Sequence, residues 1–114
     1  MKLIKKETNT IIAEKVIVAE SFWQRLCGLL GRTTLRSNET MWIQRCDSIH
    51  TFFMKFPIDV VFVDKKLKVC SVKTNIKPWR LATSYWCANS VFEFASPNSE
   101  VQNLRKGDLL YVGN

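Results

Sequence analysis

The apolar residues of this sequence are concentrated in one run, Ile49-His50-Thr51-Phe52-Phe53-Met54-Lys55-Phe56-Pro57-Ile58-Asp59-Val60-Val61-Phe62-Val63-Asp64. Every second residue from Phe52 to Phe62 is apolar, whereas the residues between them are mixed. A period of two is typical of an extended chain that buries one face. Pro57 interrupts the run, because proline cannot donate a ladder hydrogen bond. The run therefore predicts two strands, over about residues 48–55 and 57–63.

Shorter β-rich segments lie on both sides of this run. With it, the predicted strands cover residues 2–6, 10–19, 41–44, 48–55, 57–63, 67–76, 90–95 and 109–112. The first two segments are rich in β-branched residues and predict an opening hairpin or two short strands. Asp64-Lys65-Lys66 predicts the turn of a hairpin. In its return strand the apolar register slips between Val69 and Cys70, which indicates a bulge.

Two short helices accompany the predicted strands. Ser21 is a suitable N-cap for a helix over residues 22–30, which ends at Gly31. Ser96-Pro97 begins a second helix that runs to Arg105. The strands are connected by hairpins rather than by crossover helices. The fold class predicted is therefore mainly β (α+β), an antiparallel sheet that curls toward a small barrel or a sandwich.

The composition is that of one soluble globular domain covering residues 1–114. The chain has 114 residues, of which 46% are hydrophobic and 24% charged, enough to bury a single core. It carries 17 Lys and Arg against 10 Asp and Glu, a net charge of +7. This charge suits nucleic acid, an anionic membrane surface or an acidic ligand, but without a concentrated basic block it selects none of them.

The cysteines favour neither a metal site nor an exported protein. No Cys-x-x-Cys pair occurs among the four cysteines, which are Cys27, Cys46, Cys70 and Cys87. The chain has one histidine. A structural zinc site usually needs short-spaced ligand pairs, so we predict no metal and no cofactor. Apolar neighbours favour four reduced, buried cysteines in a reducing compartment. Without a signal-peptide core or ~18 consecutive apolar residues, we expect a cytoplasmic protein with no membrane association.

Several blocks of the sequence resemble one protein family over about residues 19–112. The blocks are Gln24-Arg25-Leu26-Cys27-Gly28-Leu29-Leu30-Gly31-Arg32, Met41-Trp42-Ile43, residues 52–64, Val91-Phe92-Glu93 and Lys106-Gly107-Asp108. Their order and spacing are similar to those of the family catalogued as domain of unknown function 192. The chain departs from its pattern at Gln24, where the family has Glu, and after Lys55, where an Asn-Thr pair is missing. The resemblance implies a small, mainly β fold and brings no reaction, cofactor or partner with it.

Asp59 is the first candidate site residue, because it lies within an apolar strand. A carboxylate there is either solvated at a cleft or paired, since an unpaired buried charge is costly. Arg25 and Arg32 project on nearly the same side of the first predicted helix and are suitable partners. With Lys55 they predict a ligand-binding site for a small anionic or polar ligand. The alternatives are a structural ion pair that fixes the helix on the sheet and a solvated helix face.

A second candidate site lies in the segment 75–88, which looks irregular. Its Lys77-Pro78-Trp79-Arg80 cluster, followed by Tyr85 and Trp86, combines cations with aromatic rings. Such a combination suits single-stranded nucleic acid, which stacks its bases on aromatic side chains. The alternative is a loop whose aromatic residues close one end of a barrel.

An enzyme that uses Asp59 or His50 is the third hypothesis. His50 is the one histidine of the chain, a residue type often used for proton transfer, and Cys46 precedes it by four residues. In an extended chain this spacing separates the two side chains by roughly 13 Å, too far to share a proton. Glu93 lies between Phe92 and Phe94, and this alternation predicts an outward, solvated carboxylate.

Overall fold

The computed structural model describes residues 1–19, 35–51, 54–84 and 86–114. These residues form ten strands and one short helix. The strands are β1 (Lys2–Lys5), β2 (Thr10–Ala13), β3 (Lys15–Ala19), β4 (Glu39–Gln44), β5 (Ser48–His50), β6 (Ile58–Val63), β7 (Val69–Ile76), β8 (Leu81–Thr83), β9 (Ser90–Ala95) and β10 (Leu110–Gly113). The helix, α1, spans Ser99–Gln102.

A five-stranded sheet in the order β3-β4-β9-β6-β7 forms the centre of the molecule. Its middle strands, β6 and β9, pair antiparallel from Ile58↔Ala95 to Val63↔Ser90. Every residue of β6 is buried, because both faces of the sheet are covered. Apart from Asp59, the sequence of β6 is apolar throughout, which reflects a strand with two buried faces rather than one.

Two smaller elements flank this sheet. β10, β1 and β2 form a three-stranded sheet in that order, with β1 between its two antiparallel partners. The first and last strands of the chain thus lie side by side. β5 and β8 form a separate antiparallel ribbon, in which Ile49 lies opposite Ala82.

The core consists of two clusters on opposite faces of the five-stranded sheet. The helix-side cluster contains Leu3, Ile12, Ala13, Val16, Val61, Val63, Val69, Phe92, Phe94, Val101, Leu104 and Leu110. The ribbon-side cluster contains Ala19, Leu35, Met41, Ile43, Ile49, Met54, Ile58, Val60, Phe62, Ala82 and Val91. Alternate residues of β6 enter alternate clusters, as the period of two requires.

The mainly β fold is confirmed, but three details of the prediction are corrected. None of the sheets formed by the described residues closes into a barrel. β3 and β4 pair in parallel, so the main sheet is mixed rather than antiparallel throughout. The second helix is only one turn long and starts at Ser99, because Asn98 rather than Ser96 supplies the cap through its Oδ1, 3.0 Å from Val101 N. The first predicted helix lies outside the described residues.

The hairpin from β6 to β7 follows the sequence pattern closely. Phe62 pairs with Ser71 and Val63 pairs with Val69, so Cys70 is the extra residue of a bulge. The predicted slip at Val69 and Cys70 is therefore confirmed. The segment predicted as irregular after β7 includes one short strand, β8, because its backbone groups pair with those of β5.

The prediction of four reduced cysteines is wrong for two of them. Cys70, in β7, and Cys87, before β9, form a disulfide that closes the chain between them into a loop. The sequence showed no short-spaced pair because the two residues are 17 positions apart and meet only after the chain has folded back through β8. A disulfide that closes such a loop stabilises the fold mainly by restricting the unfolded chain.

Candidate functional site

Asp59 lies in a sealed interior and binds two backbone groups. The residue is 0% exposed. Its Oδ1 accepts a hydrogen bond from Asn75 N at 2.8 Å, and its Oδ2 accepts one from Asn98 N at 2.9 Å. Asn75 has a positive φ of 53°, so the carboxylate holds the irregular end of β7 in place. Asp59 thus joins the start of β6, the end of β7 and the cap of α1.

This bonding supports a structural role for Asp59, while its role toward a ligand stays a prediction. Asn98 extends the connection, since its Nδ2 donates to Ser37 O at 3.1 Å. One carboxylate and one amide therefore link four segments of the chain. The sequence singled out Asp59 as a carboxylate within an apolar strand, but it could not reveal that backbone N–H groups serve both of its oxygens.

Of the other predicted ligand-binding residues, the structure describes Lys55 alone. Arg25 and Arg32 lie outside the described residues, so their predicted role remains untested. Ala19 and Leu35, which flank that part of the chain, both belong to the ribbon-side cluster. Lys55 is exposed and follows Met54, a member of the same cluster. Asp59 faces the opposite cluster, next to Phe94 across the strand pair.

Glu93 is a buried carboxyl, and the predicted outward position is wrong. The residue is 4% exposed and lies opposite Met41 on one side and Val60 on the other. Alternation does place Glu93 on the other face from Phe92, but that face is also covered, by the ribbon-side cluster. Desolvation by burial raises the pKa of Glu93 from 4.5 to about 8. The side chain is therefore mostly protonated at neutral pH.

The basic aromatic segment is held by one buried threonine, Thr51. The Thr51 hydroxyl donates to Lys77 O at 2.6 Å and accepts from Arg80 N at 2.8 Å. Its backbone N donates to Arg80 O at 2.8 Å, and its carbonyl accepts from Trp79 N at 3.0 Å. Residues 77–80 are thus fixed to the end of β5 by side-chain and backbone bonds. Nothing in the sequence marked Thr51 for this role.

The same segment exposes large apolar side chains beside cations. Trp79 is 56% exposed, Leu81 74% and Trp86 87%, and Lys77 and Arg80 are also exposed. Both tryptophans have positive φ values, 68° and 74°, which is uncommon for bulky residues. Trp79 and Trp86 therefore do not close the end of a barrel, and the loop presents aromatic surface to solvent.

Two residues remain from the enzyme hypothesis, His50 and Cys46. His50 ends β5 and is half-buried, and the Cys46 thiol donates to Ser48 O at 2.9 Å. Within the described ranges, no cluster of three or more His, Cys, Asp and Glu side chains is arranged to hold a metal ion. The same part of the chain has no helix with the length and apolar character needed to cross a membrane.

Two solved structures share this fold. A crystal structure of a protein of unknown function from Novosphingobium aromaticivorans superposes with a TM-score of 0.84, covering 98% of this chain and 84% of the other at 18% identity. A second crystal structure, of a protein from Sinorhizobium meliloti, gives a TM-score of 0.79 and covers 96% of this chain and 89% of the other at 18% identity. At these identities the similarity concerns the fold alone.

Sequence relatives give the family. A UPF0127 protein of Pyrococcus horikoshii is 34% identical over 82 residues, which cover 69% of this chain and 70% of the relative. A UPF0127 protein of Pyrococcus abyssi is 30% identical over 114 residues, covering 95% of each chain. The family model described as "Uncharacterized ACR, COG1430", or DUF192, matches residues 3–112. The chain therefore belongs to the DUF192 family of uncharacterised proteins.

Proposed function

We propose that the protein is a non-enzymatic binding module for a small anionic or polar ligand. The observation that carries this proposal is the buried carboxyl of Glu93 on the ribbon-side face of the main sheet. A carboxyl that stays protonated in an apolar environment donates a hydrogen bond, as a binding site for an oxyanion or a carbonyl oxygen requires. Its position in the middle of β9 makes it a fixed donor.

Three basic residues supply the cations of the proposed site. Lys55 is exposed beside the ribbon-side cluster, and Arg25 and Arg32 are carried by the segment that begins after Ala19 and ends before Leu35. Guanidinium groups bind planar oxyanions through two donors at once. Asp59 fixes the start of β6, which follows Lys55 along the chain, through its bonds to Asn75 N and Asn98 N.

A ligand screen tests this proposal. In a thermal-shift assay with carboxylates, sugar phosphates and nucleotides, we expect at least one anion to stabilise the protein, by about 3 kcal/mol at a concentration of 100 times its Kd. Arg32→Ala should abolish this stabilisation while the ligand-free protein still unfolds cooperatively. Arg105→Ala, which removes an exposed guanidinium beyond α1, is the matched control and should keep the response. A screen without any stabilising anion would refute the proposal.

Single-stranded nucleic acid is a second candidate ligand, favoured by the exposure of Trp79 and Trp86 beside Lys77 and Arg80. Base stacking on a fixed aromatic ring and neutralisation of phosphates explain why such a surface binds single strands. Thr51 fixes the loop before binding, so little ordering is needed on association.

Oligonucleotide binding distinguishes this candidate from the first. We expect affinity for a single strand that falls steeply as salt is raised, because counterions are released. Trp79→Ala should weaken binding by roughly tenfold or more, since stacking contributes ~1–3 kcal/mol per base. Ile11→Ala removes an exposed apolar side chain elsewhere and serves as the control. Absence of binding at low salt would exclude the loop as a nucleic-acid site.

A further inference from the structure

Two cavities flank the turn between β6 and β7, and Leu67 lines both. The first has a volume of about 400 Å³, and its walls include Trp42, Arg45, Lys65 and Ser90. The second has a volume of about 500 Å³, with Lys6, Lys66, Leu109 and Tyr111 in its walls. Leu67 stands between the two cavities, which we call the two lobes of the turn groove. Both lobes have the size of a small-molecule site.

Each lobe combines an aromatic ring with cations. The first lobe has Trp42 with Lys65, and the second has Tyr111 with Lys6 and Lys66. Within the residues that the structure describes, neither Lys6 nor Lys66 forms an ion pair. The groove therefore suits a ligand that carries both ring systems and negative charge.

Asp64 is an acidic residue in the wall of the first lobe, but its carboxylate is engaged by the turn, and Arg45 and Lys65 in the same wall outnumber it. Asp64 Oδ1 accepts hydrogen bonds from Lys66 N at 2.8 Å and from Lys68 N at 3.0 Å. The backbone N of Leu67 donates to Asp64 O at 3.0 Å, and Leu67 O accepts from Leu110 N at 3.0 Å. Leu67 has a φ of 62°, a value that a bulky residue keeps only when its surroundings enforce it. The ridge between the lobes is thus preformed.

The aromatic walls are also fixed in place. Trp42 stacks on Phe92, with ring centroids 5.2 Å apart and an interplanar angle of 14°. Its Nε1 donates to Ser90 Oγ at 2.9 Å. In the other lobe, the Tyr111 hydroxyl and Asn9 Oδ1 are 3.1 Å apart and hydrogen-bonded. A ligand ring therefore meets rigid partners, which reduces the entropy lost on binding.

We propose that the turn groove binds a dinucleotide unit, with one base in each lobe and the linking phosphate over the ridge beside Lys65 and Lys66. Aromatic rings stack on bases regardless of their identity, and lysine ammonium groups neutralise the phosphate. This site is separate from the two proposed above. Leu67, between the two lobes, precedes the start of β7 at Val69. The 77–80 segment follows the other end of the same strand, at Ile76.

Calorimetric titration tests the proposal with three probes, the dinucleoside monophosphate ApA, AMP and inorganic pyrophosphate. We expect ApA to bind roughly tenfold or more tightly than AMP, because the second base finds a second lobe. Pyrophosphate should compete with ApA only weakly, because it shares the phosphate position but has no bases to enter the lobes. In ¹H–¹⁵N spectra the indole Nε1–H signal of Trp42, assigned with Trp42→Phe, should shift on titration with ApA. Equal affinities for ApA and AMP, or full competition by pyrophosphate, would overturn the proposal.

Charge-reversal variants locate the site. Lys66→Glu should weaken ApA binding by roughly tenfold, since a phosphate contact is replaced by repulsion. Arg36→Glu makes the same charge change on the exposed segment before β4, outside both proposed nucleotide sites, and should leave ApA affinity within about twofold. An equal loss in both variants would overturn the groove and point to nonspecific attraction. Failure of this test leaves the Arg32-dependent ligand response unaffected, so the two proposals are separable.

Competition by a decanucleotide shows whether the bound dinucleotide unit belongs to a single-stranded nucleic acid or to a free dinucleotide. A decanucleotide that displaces ApA and binds more tightly identifies single-stranded nucleic acid as the source. Displacement with no gain over ApA identifies a free dinucleotide. Failure of the decanucleotide and of ApA to shift the Trp42 signal would refute the groove for both sources.

Discussion

Glu93→Gln is expected to raise the free energy of unfolding by about 4 to 5 kcal/mol at pH 9, while leaving it nearly unchanged at pH 4. Burial raises the pKa of Glu93 in the folded protein to about 8, from an ordinary value of 4.5. Between these two values the unfolded state loses its proton first. Wild-type stability therefore falls as the pH rises from about 4.5 to about 8 and then levels off. The amide has no proton to lose over this range.

Urea denaturation of both proteins across this pH range measures the effect. The difference between the two curves should grow with pH and reach its plateau above pH 8. Glu7→Gln, on the surface, is the control and should give a difference that stays small at every pH, since surface charges usually contribute little. Parallel curves for Glu93→Gln and wild type would contradict the buried, protonated carboxyl and remove the main support for the proposed binding site.

Asp59→Ala is expected to lower the free energy of unfolding by about 3 to 5 kcal/mol, because hydrogen bonds to a charged group contribute about 1.5 to 3 kcal/mol each. The substitution leaves Asn75 N and Asn98 N without their acceptor in a region closed to water. The loss should also loosen the end of β7 and the cap of α1. Chemical denaturation measures the first effect, and hydrogen exchange at these two amides measures the second.

Asp64→Ala is a matched comparison for Asp59→Ala. Asp64 also accepts two backbone hydrogen bonds, but it is half-buried in a surface turn. Water replaces its oxygens there, so we expect a loss of only about 1 kcal/mol. Similar losses in the two variants would contradict the conclusion that burial makes Asp59 critical.

Local sequence pattern predicted most strands and one fine detail of the sheet. The alternation around Pro57 placed β6, and the register slip at Val69 and Cys70 predicted the bulge. These features depend on neighbours along the chain, for which periodicity is a direct signal. The family resemblance likewise held, because its motifs lie in order along almost the whole chain.

Features that depend on distant segments could not be predicted in the same way. Glu93 looked solvated because alternation shows which face a residue takes, but not whether that face is covered by another part of the chain. The pairing of Cys70 with Cys87 depends on the path through β8, and the parallel alignment of β3 with β4 depends on a connection rather than on local pattern. For Asp59 the sequence left a solvated and a paired carboxylate open, and the backbone groups that bind it come from β7 and from the residue before α1.

The pairing of β1 with β10 also constrains the order of assembly during synthesis. Leu3 and Leu110 both enter the helix-side cluster, although they come from opposite ends of the sequence. A ribosome delivers β1 early and β10 last, so for most of translation one edge of β1 lacks its hydrogen-bonding neighbour. A nascent chain can pair β1 with β2, but it completes the three-stranded sheet only after the final strand has emerged.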